Sequence, residues 1–174
     1  RALRDPGHEE EGWRMEIVLA RVDDRLIHGQ VVTAWLQHIG HCDEILVCDD
    51  KARQDQFLQQ VLKMTKPPGM DLRVLSVDET IQDFKNKADD LRKVLLITRG
   101  PEQMLKLLQN GVSFDRLNLG GLGGGPGRTK LHRSVSATDE EVEVLRRIEA
   151  MGVKVELKMI PSDPAVDLAS LGGK

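Results

Sequence analysis

Residues 21–31 read RVDDRLIHGQV, and this run gathers side chains suited to covalent chemistry. His28 precedes Gly29, and Arg25 and Arg21 stand three and seven residues before it. A neutral imidazole is a competent nucleophile near pH 7, because its unperturbed pKa is about 6.5. A phosphoryl group placed on it would be an anion in need of several donors. The forked guanidinium groups of Arg21 and Arg25 match phosphate oxygens, and backbone amides at the start of a helix add further donors. Catalysis of phosphoryl transfer consists mainly of such positioning and charge stabilisation. On residue types alone a second reading stands beside this one: a solvated histidine in a surface loop with two ordinary salt-bridging arginines.

Other residues invite the same comparison. Asp24 is suited to orienting His28 or an arginine, and equally to capping a turn. Asp49-Asp50 could bind a metal or tune His28, but a turn followed by a helix cap is the simpler reading. Thr98 and Arg99 offer a hydroxyl and a guanidinium to a phosphate, or to nearby backbone. The glycine-rich stretch 120–127, beginning Gly120-Gly121, reads first as a loose surface connection and second as an amide-lined anion cradle. It contains neither GxGxxG nor GxxxxGK[ST], so neither a dinucleotide cofactor nor a nucleotide-hydrolysing loop is indicated. His38, His41 and Cys42 lack a fourth ligand at usual zinc spacing, so no metal is expected. His132, among Arg128, Lys130 and Arg133, reads as solvated.

These residues sit between elements that the hydrophobic pattern defines. Strands are expected at 15–20, 44–48, 71–77, 93–98, 115–119 and 153–160, with a short extended piece at 134–137. Helices are expected at 30–39, 51–64, 79–86, from Pro101 to about Asn110, and from Thr138 to Met151. Thr138 with Glu141 three residues later forms a capping-box pattern, and Pro67-Pro68-Gly69 stops the second helix. This alternation predicts a single α/β domain with an open, mostly parallel sheet and helices on both faces. In such sheets the site lies beyond the C-terminal strand ends. The loops to search are therefore 21–30, 49–53, 76–78, 98–101 and 120–127.

The whole-chain properties narrow the function. The chain has 174 residues, 30% of them charged, and a net charge of −3, which gives no basic face for nucleic acid. Its two cysteines form no CxxC pair, which suits a reducing compartment. No apolar stretch nears the roughly 20 residues of a membrane span. Residues 1–14 are charged and aperiodic and read as a flexible leader, linker or artificially appended segment, with the domain at 15–174.

The run RVDDRLIHGQV resembles the active-site segment of enzyme IIB subunits of the mannose/sorbose family of the sugar phosphotransferase system. KMTKPPGM (63–70), LNLGG (117–121) and MIPSDPAVDL (159–168) resemble further landmarks of that family in the same order. The likeness spans residues 15–168, and the stretch GLGGGPG (121–127) departs from it. The resemblance implies a cytoplasmic phosphotransferase associated with the membrane through other subunits. It implies that His28 accepts a phosphoryl group from the phosphohistidine of a IIA partner and passes it to a sugar held by membrane IIC and IID subunits. Arg21 and Arg25 match the arginines of the motif. Self-association is left open, with Trp35 and Phe57 as the side chains whose exposure bears on it.

Two rivals remain at this point. A receiver domain would use Asp23-Asp24 as its acidic pair and Thr98 as a switch hydroxyl, but needs an acceptor aspartate after the third strand, where Asp78 fits poorly. A regulatory protein of the same fold without transfer is the other. A free-sugar site is poorly supplied, since aromatics are 3% and Tyr is absent.

Overall fold

A computed structural model describes residues 15–86 and 90–171; the expected leader, 1–14, lies outside the described residues. Strands β1 (Glu16–Asp23), β2 (Glu44–Cys48), β3 (Asp71–Leu75), β4 (Lys93–Thr98), β5 (Arg116–Gly121), β8 (Lys154–Leu157) and β9 (Val166–Asp167) form one sheet in the order β3-β2-β4-β1-β5-β8-β9. All neighbours are parallel except β8 and β9. The helices are α1 (Gly29–Ile39), α2 (Asp50–Gln54), α3 (Gln56–Thr65), α4 (Val77–Asn86), α5 (Pro101–Gln109) and α6 (Asp139–Ala150).

Alternation along the strands builds two cores. Ala20, Val22, Leu46, Cys48, Val94, Leu96, Leu117 and Leu119 pack beneath α4, α5 and α6. Ile45, Val47, Leu95 and Ile97 face the other way, onto Val32 of α1, Ala52 of α2 and Leu62 of α3. Nearly every residue of β2 and β4 is apolar because both faces are covered. β1 and β4 are neighbours, yet their following helices α1 and α5 lie on opposite faces of the sheet. A crevice therefore opens at the strand ends here, and the loop bearing His28 begins at its edge.

Several boundaries differ from the sequence expectation. The helix expected at 51–64 is broken into α2 and α3, because the Asp55 side chain accepts a hydrogen bond from the Leu58 amide and starts a new helix. β5 extends through Gly120 and Gly121. The extended piece near 134–137 is one arm of a hairpin, β6 (Thr129–His132) with β7 (Val135–Ala137). β9 was not anticipated: two residues carry too little pattern. Thr138 and Glu141 make the expected capping box.

Candidate functional site

β1 ends with two buried charged residues, Arg21 and Asp23, 1% and 0% exposed. The two-residue period of the strand places them opposite Ala20 and Val22, on the face that carries α1. The Asp23 carboxylate joins three groups. Its Oδ2 accepts from Arg21 Nη2 at 2.9 Å, and its Oδ1 accepts from the Arg25 backbone amide at 3.0 Å and from Arg25 Nε at 3.4 Å. Arg21 Nη1 also donates to Asn118 Oδ1 at 2.5 Å and to the Met159 carbonyl at 3.1 Å. Burial disfavours the charged form of the Arg21 guanidinium, and the Asp23 carboxylate opposes that effect.

This network holds the loop after β1. The Leu26 amide donates to the Asp23 carbonyl at 2.9 Å, and the Asp24 amide to the Gly121 carbonyl at 3.0 Å. Leu26 has φ 59°, a left-handed conformation that costs a branched residue about 1–2 kcal/mol. Its side chain, 2% exposed, sits in the α1-side core and keeps the loop in that state. The chain then emerges at His28, which is exposed and occupies the N-cap of α1. No side chain caps this helix and its first turn holds no acidic residue, so its N-terminal amides and positive dipole end favour an anion.

The two arginines of the motif have separate fates. The Arg25 side chain is 46% exposed and rests on Asp23 and the Met159 sulfur. Arg21 lies inside the sheet face with both terminal nitrogens engaged, so it does not present a fork to a phosphate as the motif suggested. Strand parity is the reason, since it turns Arg21 inward beside Asp23.

The supporting residues also become specific. Asp49 caps α2 by accepting from the Ala52 amide at 2.9 Å, and its carboxylate pairs with Arg99 at 3.1 Å. Arg99 Nη1 reaches the Asp24 carbonyl at 3.2 Å, so this pair ties the loop after β2 to the His28 loop. Thr98 is fully buried, and its hydroxyl donates to the Gly100 carbonyl at 2.7 Å. The glycine-rich stretch is tied down at Gly123, while residues 123–127 are exposed and lie outside any helix or strand. The Gly123 amide donates to Asp24 Oδ2 at 2.6 Å, and Arg128 binds the Gly123 carbonyl, the Ser136 carbonyl and Glu141. Gly120 and Gly121 belong to β5 and pack on Arg21 and Asp23. His132 is half-buried in β6 rather than solvated.

Sequence reasoning missed Asn118 and Met159, and weighed Asp23 only as half of a receiver's acidic pair, not as the partner of two arginines. Met159 accepts from Arg21 and from Trp35 Nε1 through its carbonyl, at 3.1 and 3.0 Å. The unused signal was an Arg and an Asp of like parity directly after the apolar run 17–20 of β1. The receiver reading fails on the same geometry: Asp23 is consumed by two arginines, and Asp78 lies in α4, paired with Lys106 at 3.1 Å. Among the described residues no group of three or more His, Cys, Asp or Glu is placed to hold a metal, and no helix is long and apolar enough to cross a membrane.

Comparison with known proteins agrees with this architecture. Residues 17–174 match the sequence profile of the phosphotransferase system sorbose subfamily IIB component. The sorbose-specific EIIB component of Klebsiella pneumoniae is 33% identical over 154 residues, covering 88% of this chain and 93% of that protein. The crystal structure of the IIB domain of the Klebsiella pneumoniae sorbose permease superposes with a TM-score of 0.86 at 32% identity, covering 90% of this chain and 96% of that one. The mannose-specific EIIAB component of Escherichia coli K12 is 31% identical over 92% of this chain, which spans 49% of that longer protein. The mostly parallel sheet and these matches converge: the chain belongs to the sorbose subfamily of IIB components of the sugar phosphotransferase system.

Proposed function

We propose that His28 is the phosphoryl carrier of this IIB component. Its supporting observation is the placement of one exposed imidazole at the uncapped N-terminus of α1, on a loop whose backbone is held by Asp23 and Gly121. A ring nitrogen of His28 attacks the phosphorus of a phosphohistidine on the IIA partner. The new P–N bond forms as the donor's P–N bond breaks. The donor imidazole gains a proton, and His28 loses one from its other ring nitrogen. In the second step a sugar hydroxyl held by the IIC and IID subunits attacks the phosphorus, a P–O bond forms as the P–N bond to His28 breaks, and the hydroxyl proton passes to the released imidazole. The reacting atoms must approach to about 3–3.5 Å in each complex, which an exposed residue permits.

Arg25 and the α1 amides receive the phosphate oxygens. Arg21 acts through Asp23 as a positioning residue. Asp24, Asp49, Arg99, Gly120 and Gly121 hold the surrounding loops and make no direct contact with the phosphate, and Thr98 shapes the end of β4. The protein works at the cytoplasmic side of the membrane through its partners. The test is incubation with labelled phospho-IIA. His28→Ala should fold as the parent does and take up no label, whereas the parent should hold an acid-labile, base-stable label. Undiminished labelling of His28→Ala ends the proposal.

A further inference from the structure

Helix α3 carries a row of apolar side chains that the fold leaves uncovered. Phe57, Val61 and Met64 are 80%, 40% and 86% exposed. Their spacing of four and then three residues puts them on one face of the helix. Leu58 and Leu62, on the other face, pack into the α1-side core. Scattered exposed apolar residues are ordinary, but three in register on a ten-residue helix form a patch.

The position of the row matters as much as its chemistry. α3 ends at Thr65, and a Cβ built on Gly29 would lie 3.4 Å from the Thr65 carbonyl oxygen. Gly29 directly follows His28, so the Met64 end of the row borders the loop that carries the phosphoryl group. The helix is about 15 Å long at a rise of about 1.5 Å per residue. A standard partner covers about 800 Å², a disc of about 16 Å radius. A protein that seats its own histidine against His28 therefore reaches along the whole row.

The charges point to one class of partner. Lys63 is the single charged residue within α3, Lys66 follows the helix, and Arg25 lies on the His28 loop. The end of the row nearest His28 is thus basic, in a chain whose net charge is −3. The donor domain arrives carrying a phosphoryl anion, whereas the acceptor offers a neutral sugar hydroxyl. We infer that the Phe57–Val61–Met64 row is the docking anchor for the phosphodonor IIA domain, seated in an apolar pocket of that domain rimmed by carboxylates. This inference rests on the reading of His28 as carrier.

The test uses the full chain with Phe57→Ser and Met64→Ser combined; both side chains are exposed, so the fold should persist, checked by circular dichroism and the melting midpoint. Labelling is followed against the concentration of phospho-IIA. The KM for phospho-IIA should rise at least tenfold with little change in the maximal rate. Labelling by phosphoramidate, a small donor with no surface to dock, should match the parent, as should transfer from the pre-labelled variant to sugar in membranes bearing IIC and IID. An unchanged KM for phospho-IIA overturns the inference. So does a loss confined to the membrane step, which would assign the row to the acceptor. A shift in sedimentation of the unphosphorylated protein would assign it to a second copy, and a loss of binding to anionic phospholipid vesicles would assign it to the bilayer. If the parent takes no label on His28 from either donor, the carrier reading itself fails and takes the inference with it.

Discussion

Gly120 lies directly against the guanidinium of Arg21. A Cβ at Gly120 would fall within the space that Cζ, Nη1 and Nη2 occupy. β1 and β5 pair with Arg21 opposite Asn118, so Gly120, two residues on, shares the same face. The glycine thus has a packing reason: it leaves room for a buried arginine between two strands. The first prediction follows from that fit. Gly120→Ala should destabilise the protein by about 1–3 kcal/mol, as overpacking does elsewhere. Urea denaturation should show a lower midpoint, and labelling of His28 should slow because Asp23 and its loop are displaced. An unchanged midpoint would mean that Arg21 has room to move.

Asp23 neutralises Arg21 inside the sheet and fixes the Arg25 amide. Asp23→Asn keeps the size of the side chain and removes its charge. Removing one partner of a buried ion pair costs about 3–5 kcal/mol, so this variant should be among the least stable at this site. Denaturant titration checks it. A loss below about 1 kcal/mol would place the pair in the class of surface bridges.

Arg25 stays half open to solvent at the end of the same network. Arg25→Lys should leave the melting midpoint close to the parent's but slow transfer from phospho-IIA about tenfold, the effect of losing one charge-assisted hydrogen bond of about 1.5 kcal/mol. Single-turnover labelling measures it. Parental rates would make Arg25 a bystander.

Burial pushes the Cys48 thiol up to about 12, against an ordinary value of 9.0. The folded pKa is raised, so this contribution to stability is fully present below about pH 9. It is lost as pH rises from there through the folded value, because the unfolded chain ionises first. Urea unfolding between pH 7 and pH 10.5 should therefore show a steeper fall for the parent than for Cys48→Ala. Equal slopes would show that the thiol does not take part. Thiol reagents should reach Cys48 only on unfolding.

Much of the architecture was legible because it rests on local patterns. The alternating strands and helices, the Thr138 capping box and the breaker after α3 each follow from short-range chemistry, and together they dictate a mostly parallel sheet. The run around His28 pointed to the end of β1, where such sheets place their sites. The Asp55 cap that splits α2 from α3 was also local: its side chain accepts from the Leu58 amide three residues on.

What only the tertiary structure decided is which of the charged residues in RVDDRLIHGQV faces inward. Arg21 and Arg25 are equivalent as residue types, and parity along β1 puts Arg21 on the face of Asp23 without saying what covers that face. Pairing of β1 with β5 brings Asn118 and Gly120 against Arg21, and the return of the chain after β8 brings Met159. Those partners lie between 97 and 138 residues away, so no window along the chain contains them. A similar distance hides the tie at the start of the glycine-rich stretch: Asp24, which accepts from the Gly123 amide, lies 99 residues before it. Sequence by itself determined the alternation of strands and helices and singled out His28 as the candidate carrier. Long-range packing determined that one arginine supports the site from within while the other stays open to it.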